Sequence, residues 1–388
     1  MQDALPPLHG IRVVDLTRVL AGPFCTMLLA DMGAEVIKVE GPEGDPVRGQ
    51  GTIRDGVSWY FASFNRNKKS VVIDLYTDEG KDLLARLIET ADVLVDNYRP
   101  GVLAKMGFPP ERLAALNPRL VTCNVNGYGS TGPYVDRPAF DFIAQAMSGF
   151  MSVNGAEDQP PLRTGQPVTD LVAGLYGAFG IVNALHARHH NGRGQHVESA
   201  MVNGILSFMA YLASEYFATG KLPPRTGNDH PLVAPYGLFT ANDGEVAVAP
   251  SNDTVLRRFL RAIDLEHLMD EARFATNEAR FARRHELKAL IDARMRTDTQ
   301  AHWIETLNRA GVPCGKVQTL DEVFADPQVR AQDMALEVTR PGHEPVRMLG
   351  FPVKLSGTPC QVRLPAPELG EHDAEILAPL RPRRGAET

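Results

Sequence analysis

The sequence predicts a doubly wound α/β domain followed by a smaller α+β domain. Short apolar strands alternate with helical stretches in the N-terminal half, an order that implies a parallel sheet covered on both faces. A cluster of Pro, Gly and Asn, TGKLPPRTGNDHPLVAPYGLF, then breaks the pattern and reads as a domain boundary. The length fits: 388 residues hold two domains, and 44% hydrophobic with 22% charged residues is a globular balance with a sizeable core. The expected limits are 1–225 for the large domain with its connecting helices, 226–325 for the small domain and 326–388 for a C-terminal segment.

The elements follow in order. GIRVVDLTRVLAGPFCTMLLADMGAEVIKVE gives a strand over Ile11 to Leu16, a turn containing Ala21-Gly22-Pro23, a helix, Gly33 and a second strand over Val36 to Val39, which is one βαβ unit. KSVVIDL reads as a strand, DEGKDLLARLIETA as an amphipathic helix, DVLVDNY as a strand and PRLVTCNVNGYG as a strand ending in a Gly turn. Two uncharged stretches, 171–187 and 199–214, fall short of the ~20 apolar residues of a membrane span and read as buried core helices. In the small domain YGLFTANDGEVAVAP carries an Asn-Asp-Gly hairpin signal, and RFARRHELKALIDARMR is a helix with a solvated charged face. The tail RPRRGAET reads as frayed.

Composition removes several functions. A net charge of −7 and a pI near 5.9 argue against a nucleic-acid or acidic-membrane partner. Four widely spaced cysteines with no CxxC pair indicate neither a disulfide framework nor a zinc site, and they fit a reducing cytoplasm. The start MQDALPPLHG lacks the basic and apolar regions of a signal peptide. No GxGxxG follows the first strand, which disfavours NAD, and there is no Walker loop, GxSxG elbow or HExxH. His189 and His190 sit in a polar turn and read as surface residues.

One carboxylate stands out. In LRTGQPVTDLVAGLYGAFG, Asp170 lies at the mouth of a long uncharged run. It is either a helix cap, with Thr169 or Asp170 itself in the capping role, or a carboxylate kept ionised by the helix dipole and aimed at a ligand as a nucleophile. Basic residues gather at strand ends in the first domain, Arg18, Lys38 and Arg99 among them, where parallel sheets bind ligands and where guanidinium and ammonium groups suit phosphates.

With these residues the sequence resembles the class III CoA-transferase family, the group of formyl-CoA transferase, carnitine CoA-transferase and α-methylacyl-CoA racemase. The likeness runs over nearly the whole chain, in VVDLTRVLAGPFCTMLLADMGAEVIKVE, NRNKKSVVIDL, DNYRPGVLAKMGF, NVNGYGSTGPY, PVTDLVAGLYG, GRGQHVESAM, GVPCGKV and LGEH. It implies a large Rossmann-like domain to which the C-terminal segment returns, a small domain, and a homodimer interlocked like chain links. It also implies a role for Asp170. The carboxylate attacks an acyl-CoA thioester to give a mixed anhydride, the released thiolate forms an aspartyl-CoA thioester, and the acceptor acid then takes the acyl position. An ionised carboxylate needs no base, which accounts for the absence of a catalytic histidine.

By the same resemblance Arg18, Val19, Ile73, Asn97, Tyr98, Arg99, Lys105 and Met106 line the CoA site, with CoA and its thioesters as substrates rather than tightly bound cofactors, and with no metal. Formyl-CoA transferase has Gln where this chain has Leu20 and a basic residue where it has Gly41, for which Arg48 is a candidate substitute. The racemase branch has a proton-shuttling His at the position of Phe140, so an epimerase is disfavoured; Asp141 is a second carboxylate that orients Asp170 or is structural. GNDHPLVAPYGLF replaces the glycine run of formyl-CoA transferase and looks closer to enzymes using succinyl-CoA and dicarboxylic acids. Arg163 and His230 would then bind a distal carboxylate, or serve structure. A silent acyl-CoA-binding protein is the remaining alternative, against which Asp170 itself counts.

Overall fold

The structure is a computed structural model that describes residues 5–380; the tail RPRRGAET lies outside them. The chain divides into two compact units. The larger takes the stretch ending at Phe150, Thr164–Ala210, and the chain from Pro327 on; the smaller takes Met151–Arg163 and Tyr211–Asp326. The division therefore falls at 210/211 rather than 225/226, and 151–163 joins the smaller unit because Gly227 N–H donates to Gly155 O (3.0 Å) and Arg284 pairs with Glu157 (3.0 Å).

Six parallel strands form the sheet of the larger unit: β1 (Arg12–Asp15), β2 (Glu35–Glu40), β3 (Lys68–Val72), β4 (Val93–Asp96), β5 (Val121–Asn126) and β6 (His196–Ala200), in the order β3-β2-β1-β4-β5-β6. Alternation decides its two faces. Val13, Val36, Val93, Val121 and Cys123 point to α1 (Ala21–Asp31) and to the long helix begun at Val168, while Val14, Ile37, Val71 and Leu94 point to α2 (Asp78–Glu89). Thr77 caps α2 by accepting from Gly80 N–H, with Asp78 and Glu79 in the first turn. The chain after Gln361 returns along β3, where His372 N–H donates to Ser70 O (2.9 Å) and Val72 N–H to Asp373 (2.8 Å).

Several local expectations change. Ala21-Gly22-Pro23 is the first turn of α1, not a loop; the connection is the short run 16–20, and a Cβ on Gly22 would lie 2.4 Å from the Thr17 Cβ. The stretch 199–214 is not one buried helix: it finishes β6, forms the helices Met201–Ser207 and Ala210–Thr219, and leaves Leu206, Phe208 and Tyr211 exposed. The smaller unit is as expected at its hairpin, with β7 (Gly237–Thr240) and β8 (Glu245–Val248) antiparallel and β9 (Cys314–Lys316) beside them.

The order of strands reverses between β1 and β4, so the chain leaves their carboxyl ends in opposite directions and opens a crevice there. That crevice is bounded by the run 16–20 and by the loop that begins at Asn97.

Candidate active site

The loop between β1 and α1 is held almost entirely by side chains. Asp15 accepts from Thr17 N–H (2.9 Å), Lys38 donates to Thr17 O (2.8 Å), the Asn97 carboxamide bonds both Arg18 N–H (3.0 Å) and Arg18 O (2.8 Å), and Asp45 accepts from Val19 N–H (3.2 Å). Val19 sits at φ 69, the left-handed region that a β-branched residue avoids. Beneath it, Lys68 pairs with Asp15 (3.1 Å) and Lys38 with Asp45 (2.9 Å), all four buried. Burial works against the Asp15 charge, yet Lys68, Lys38 and two threonine hydroxyls hold its carboxyl below the usual range; burial also lowers Lys68, to about 8.

This distribution sorts the cations. Arg18 and Lys105 are exposed and form no ion pair among the described residues, and the Arg18 guanidinium lies over the Tyr98 ring at 5.4 Å. Arg99 is exposed, and its guanidinium donates to Asp136 O at 3.4 Å. Lys38, by contrast, is a buried partner of Asp45 and is not available to a phosphate. Arg48 does not stand in for the base missing at Gly41: it is spent on Glu40 (2.6 and 2.8 Å), on Pro367 O (3.0 Å) and against the Phe61 ring. Ile73 is 2% exposed and offers a ligand backbone only, Met106 packs on the α2-side core, and the Asn97 side chain holds the loop rather than facing outward.

Asp170 is the third residue of a 24-residue helix, α4 (Val168–Asn191). Neither Thr169 nor Asp170 caps it. Pro167 holds the N-cap position without a side-chain bond, and Asp141, at the start of α3 (Asp141–Met147), accepts from Thr169 N–H and from the Thr169 hydroxyl, each at 2.9 Å. Asp141 also accepts from Gln145 Nε2 (2.8 Å), whose Oε1 accepts from Thr164 N–H (3.0 Å). The capping task is therefore met by another carboxylate, and Asp170 is free of it. Among the described residues Asp170 accepts no hydrogen bond and meets no cation. Burial first and Asp141 second push its carboxyl up from 3.8 to about 7, so the expected dipole-held anion is half protonated near neutrality.

α4 lies against α1 because both carry small residues at the contact: a Cβ on Gly174 would come within 2.6 Å of Ala21 O. The two N-termini share one end, which brings Asp170 toward the mouth of the β1–α1 loop. By length and composition α4 is apolar enough to cross a membrane, with a mean hydropathy of 1.5 over an 18-residue window, although its ends carry Asp170 and the polar run Arg188-His189-His190-Asn191. Half of that window is buried, by Ala173, Ala178, Ile181 and Ala184 against the sheet and α1.

Sequence reasoning missed Tyr60, on the helix Trp59–Asn65, whose phenol is pushed up by burial, then by the charges of Asp170 and Asp45. Phe140 is 73% exposed beside the buried Asp141. Arg163 and His230 belong to the smaller unit, Asp170 to the larger. The His230 ring stacks on Tyr211 (5.9 Å), accepts from Leu232 N–H at Nδ1 (3.0 Å) and has its pKa lowered by burial, the state of a neutral ring rather than of a cation for a carboxylate. His189 and His190 are exposed in the last turn of α4. A cavity of about 520 Å³, walled by Phe108 and Leu113 with Asp96, Asn124 and His196, includes Arg99 but not Asp170.

Residues 8–373 match the family described as CoA-transferase family III. The chain belongs to CoA-transferase family III. Among family III relatives, the chain is 38% identical to succinate–glutarate CoA-transferase of Agrobacterium fabrum, over 98% of this chain and 97% of that one. It is 40% identical to succinyl-CoA–D-citramalate CoA-transferase of Chloroflexus aurantiacus, over 96% and 94%. A crystal structure of a CAIB/BAIF family protein from Brucella suis superposes with a TM-score of 0.86 at 38% identity, covering 97% of this chain and all of that one. The enzyme class read from the sequence is thereby shown, and the parallel central sheet agrees with the family fold.

Proposed function

We propose that this family III enzyme moves CoA from succinyl-CoA to a second dicarboxylic acid through covalent intermediates on Asp170. The observation that carries the reading is a carboxylate relieved of capping by Asp141, with no hydrogen-bond partner among the described residues, at the end of α4 that also presents the N-terminus of α1. Exposed Arg18, Arg99 and Lys105 suit the phosphates of CoA at the crevice between β1 and β4.

The steps balance without a redox or metal co-reactant. The Asp170 oxygen attacks the thioester carbonyl carbon, the C–S bond breaks, and CoA leaves as thiolate, giving a mixed anhydride. The thiolate attacks the Asp170 carbonyl carbon and expels the donor acid as carboxylate, leaving an aspartyl-CoA thioester. The acceptor carboxylate attacks that thioester and the thiolate leaves again. It then attacks the acceptor's carbonyl carbon, which forms the new acyl-CoA and restores Asp170.

The dicarboxylate is supported by the relatives, two of which are named for CoA transfer between succinate and glutarate and between succinyl-CoA and D-citramalate. The homodimer is supported by apolar side chains left open on the larger unit, Phe140, Leu175 and Phe179 at 73, 51 and 65% exposure. A cytoplasmic setting rests on cysteine usage alone. Phe140 in place of a proton shuttle disfavours the racemase reading.

The test is acid-dependent exchange: enzyme, succinyl-CoA and a panel of mono- and dicarboxylates, with new acyl-CoA followed by chromatography. Transfer to dicarboxylates with double-displacement kinetics is expected. Transfer confined to monocarboxylates would overturn the substrate reading, and deuterium exchange at the α-carbon of a 2-methylacyl-CoA without transfer would favour the racemase.

A further inference from the structure

We propose that Asp45 is a positioning residue for CoA binding: paired with Lys38, it holds the Val19 peptide in its left-handed conformation and so fixes the β1–α1 loop in its ligand-ready form. The inference rests on the transferase reading of the crevice, and it concerns residues that contact the ligand only through the loop.

Five successive backbone polar groups, from Thr17 N–H to Val19 N–H, are each bonded to a side chain: the first to Asp15 at the end of β1, the other four to residues distant in sequence, Lys38 on β2, Asn97 after β4, and Asp45 after β2. A loop that needed only to connect β1 to α1 would leave such groups to water or to its own backbone. Here every one is held by a side chain, four of the five from outside the loop, and at the end of the run stands a valine in backbone that glycine adopts freely and valine does not. The conformation persists because its surroundings impose it. Asp45 imposes it most directly, since both its oxygens lie within 3.3 Å of Val19 N while one is pinned by Lys38 Nζ and the other by Val47 N–H (3.2 Å). Its own N–H donates to Glu40 Oε2 (2.9 Å), so the acceptor cannot swing away.

Stability alone does not account for the arrangement. Lys38 is 0% exposed and Asp45 4%. A buried ion pair of this kind is commonly no more stabilising than apolar residues of the same volume, because two charges are taken out of water. What an apolar pair could not supply is a fixed acceptor beneath Val19. The direction set at Val19 in turn sets where the Arg18 side chain leaves the loop and where the first turn of α1 begins, with Asn97 holding the other edge of the same peptide. A site that binds through backbone groups and one arginine requires that geometry before the ligand arrives.

The experiment uses the full-length protein. Asp45→Ala is combined with Lys38→Met so that no lone buried charge remains, and the same pair is introduced together with Val19→Gly. CoA affinity is measured by calorimetry, acceptor KM by turnover with glutarate, thermal stability by calorimetry, and exchange at the residue 19 amide by mass spectrometry. The expected result is a Kd for CoA raised about tenfold, equivalent to about 1.4 kcal/mol, with faster exchange at residue 19 and acceptor KM within twofold of wild type. In the Val19→Gly background the same two changes raise Kd less than threefold, because glycine keeps the left-handed conformation without being held. A structural role would lower stability and affect both substrates, with no relief from glycine, and that outcome overturns the proposal, as does unchanged CoA affinity with lost protection at residue 19. A wild-type protein that does not bind CoA overturns the transferase reading first and this inference with it.

Discussion

Asp141→Asn tests the electrostatics of the nucleophile. The Asp170 carboxyl is raised from 3.8 to about 7, burial being the larger cause and the Asp141 charge the next. At about 1.36 kcal/mol per pH unit, that favours the protonated acid by roughly 4 kcal/mol over a carboxyl in water. Only the anion attacks a thioester, so adduct formation falls as pH drops through about 7, with roughly a tenth of the maximum left one pH unit below the midpoint. Removing the Asp141 charge while burial stays in place lowers that midpoint, by less than the burial contribution that remains. Asparagine keeps the acceptor for Thr169 N–H but sets an amide against Gln145 Nε2, and Gln145 cannot turn because its Oε1 holds Thr164 N–H. A stability loss of about 1–3 kcal/mol follows. The assay is single-turnover formation of the CoA adduct between pH 5.5 and 8.5, alongside thermal unfolding. An acid limb that stays in place or moves upward in Asp141→Asn would refute the argument.

Three further outcomes follow from the same geometry. Gly174→Ala places a methyl 2.6 Å from Ala21 O, so α1 and α4 must separate; a loss of about 1–3 kcal/mol is expected in chemical denaturation, together with slower transfer. Asp96 is 7% exposed and burial raises its carboxyl to about 7, opposed by bonds from Tyr98 N–H and Asn124, so its ionisation costs stability as pH rises from 3.8 to about 7. Asp96→Asn keeps the acceptor and removes that cost, and its melting temperature relative to wild type should therefore be higher at pH 8 than at pH 4. Arg18→Ala with Lys105→Ala should raise the Kd for CoA at least tenfold at low salt and leave thermal stability within about 0.5 kcal/mol, since both side chains are exposed and neither forms an ion pair among the described residues.

The parallel sheet was legible because VVD, EVIKVE, KSVV and VLVD are short apolar runs separated by helical periods, and a hydrophobic period needs no partner to be read. Asp170 was legible as the lone acid before an uncharged run. What the sequence could not show is which polar residues are spent on one another. Lys38 in EVIKVE reads as an outward cation, and only the fold brings Asp45 over it. Arg48 reads as free until Glu40 and Phe61 are seen to enclose it. The cap of α4 comes from Asp141, 28 positions before the helical amide it accepts from, beyond the reach of any local capping rule. The strand His196–Ala200 was missed because HVESA is polar at His196 and Glu198, and its last two residues, Ser199 and Ala200, merge with the uncharged stretch 199–214 that reads as helix.

In the proposed reaction Asp170 carries CoA. Mixing the protein with succinyl-CoA, trapping the intermediate with borohydride or quenching in acid, and mapping peptides by mass spectrometry tests it directly. The expected result is a CoA thioester on the peptide containing Asp170, or its reduced homoserine product, absent in Asp170→Ala and discharged by added dicarboxylate. A wild-type protein that transfers CoA with no adduct at Asp170, or an Asp170→Ala variant that transfers at the wild-type rate, would contradict it.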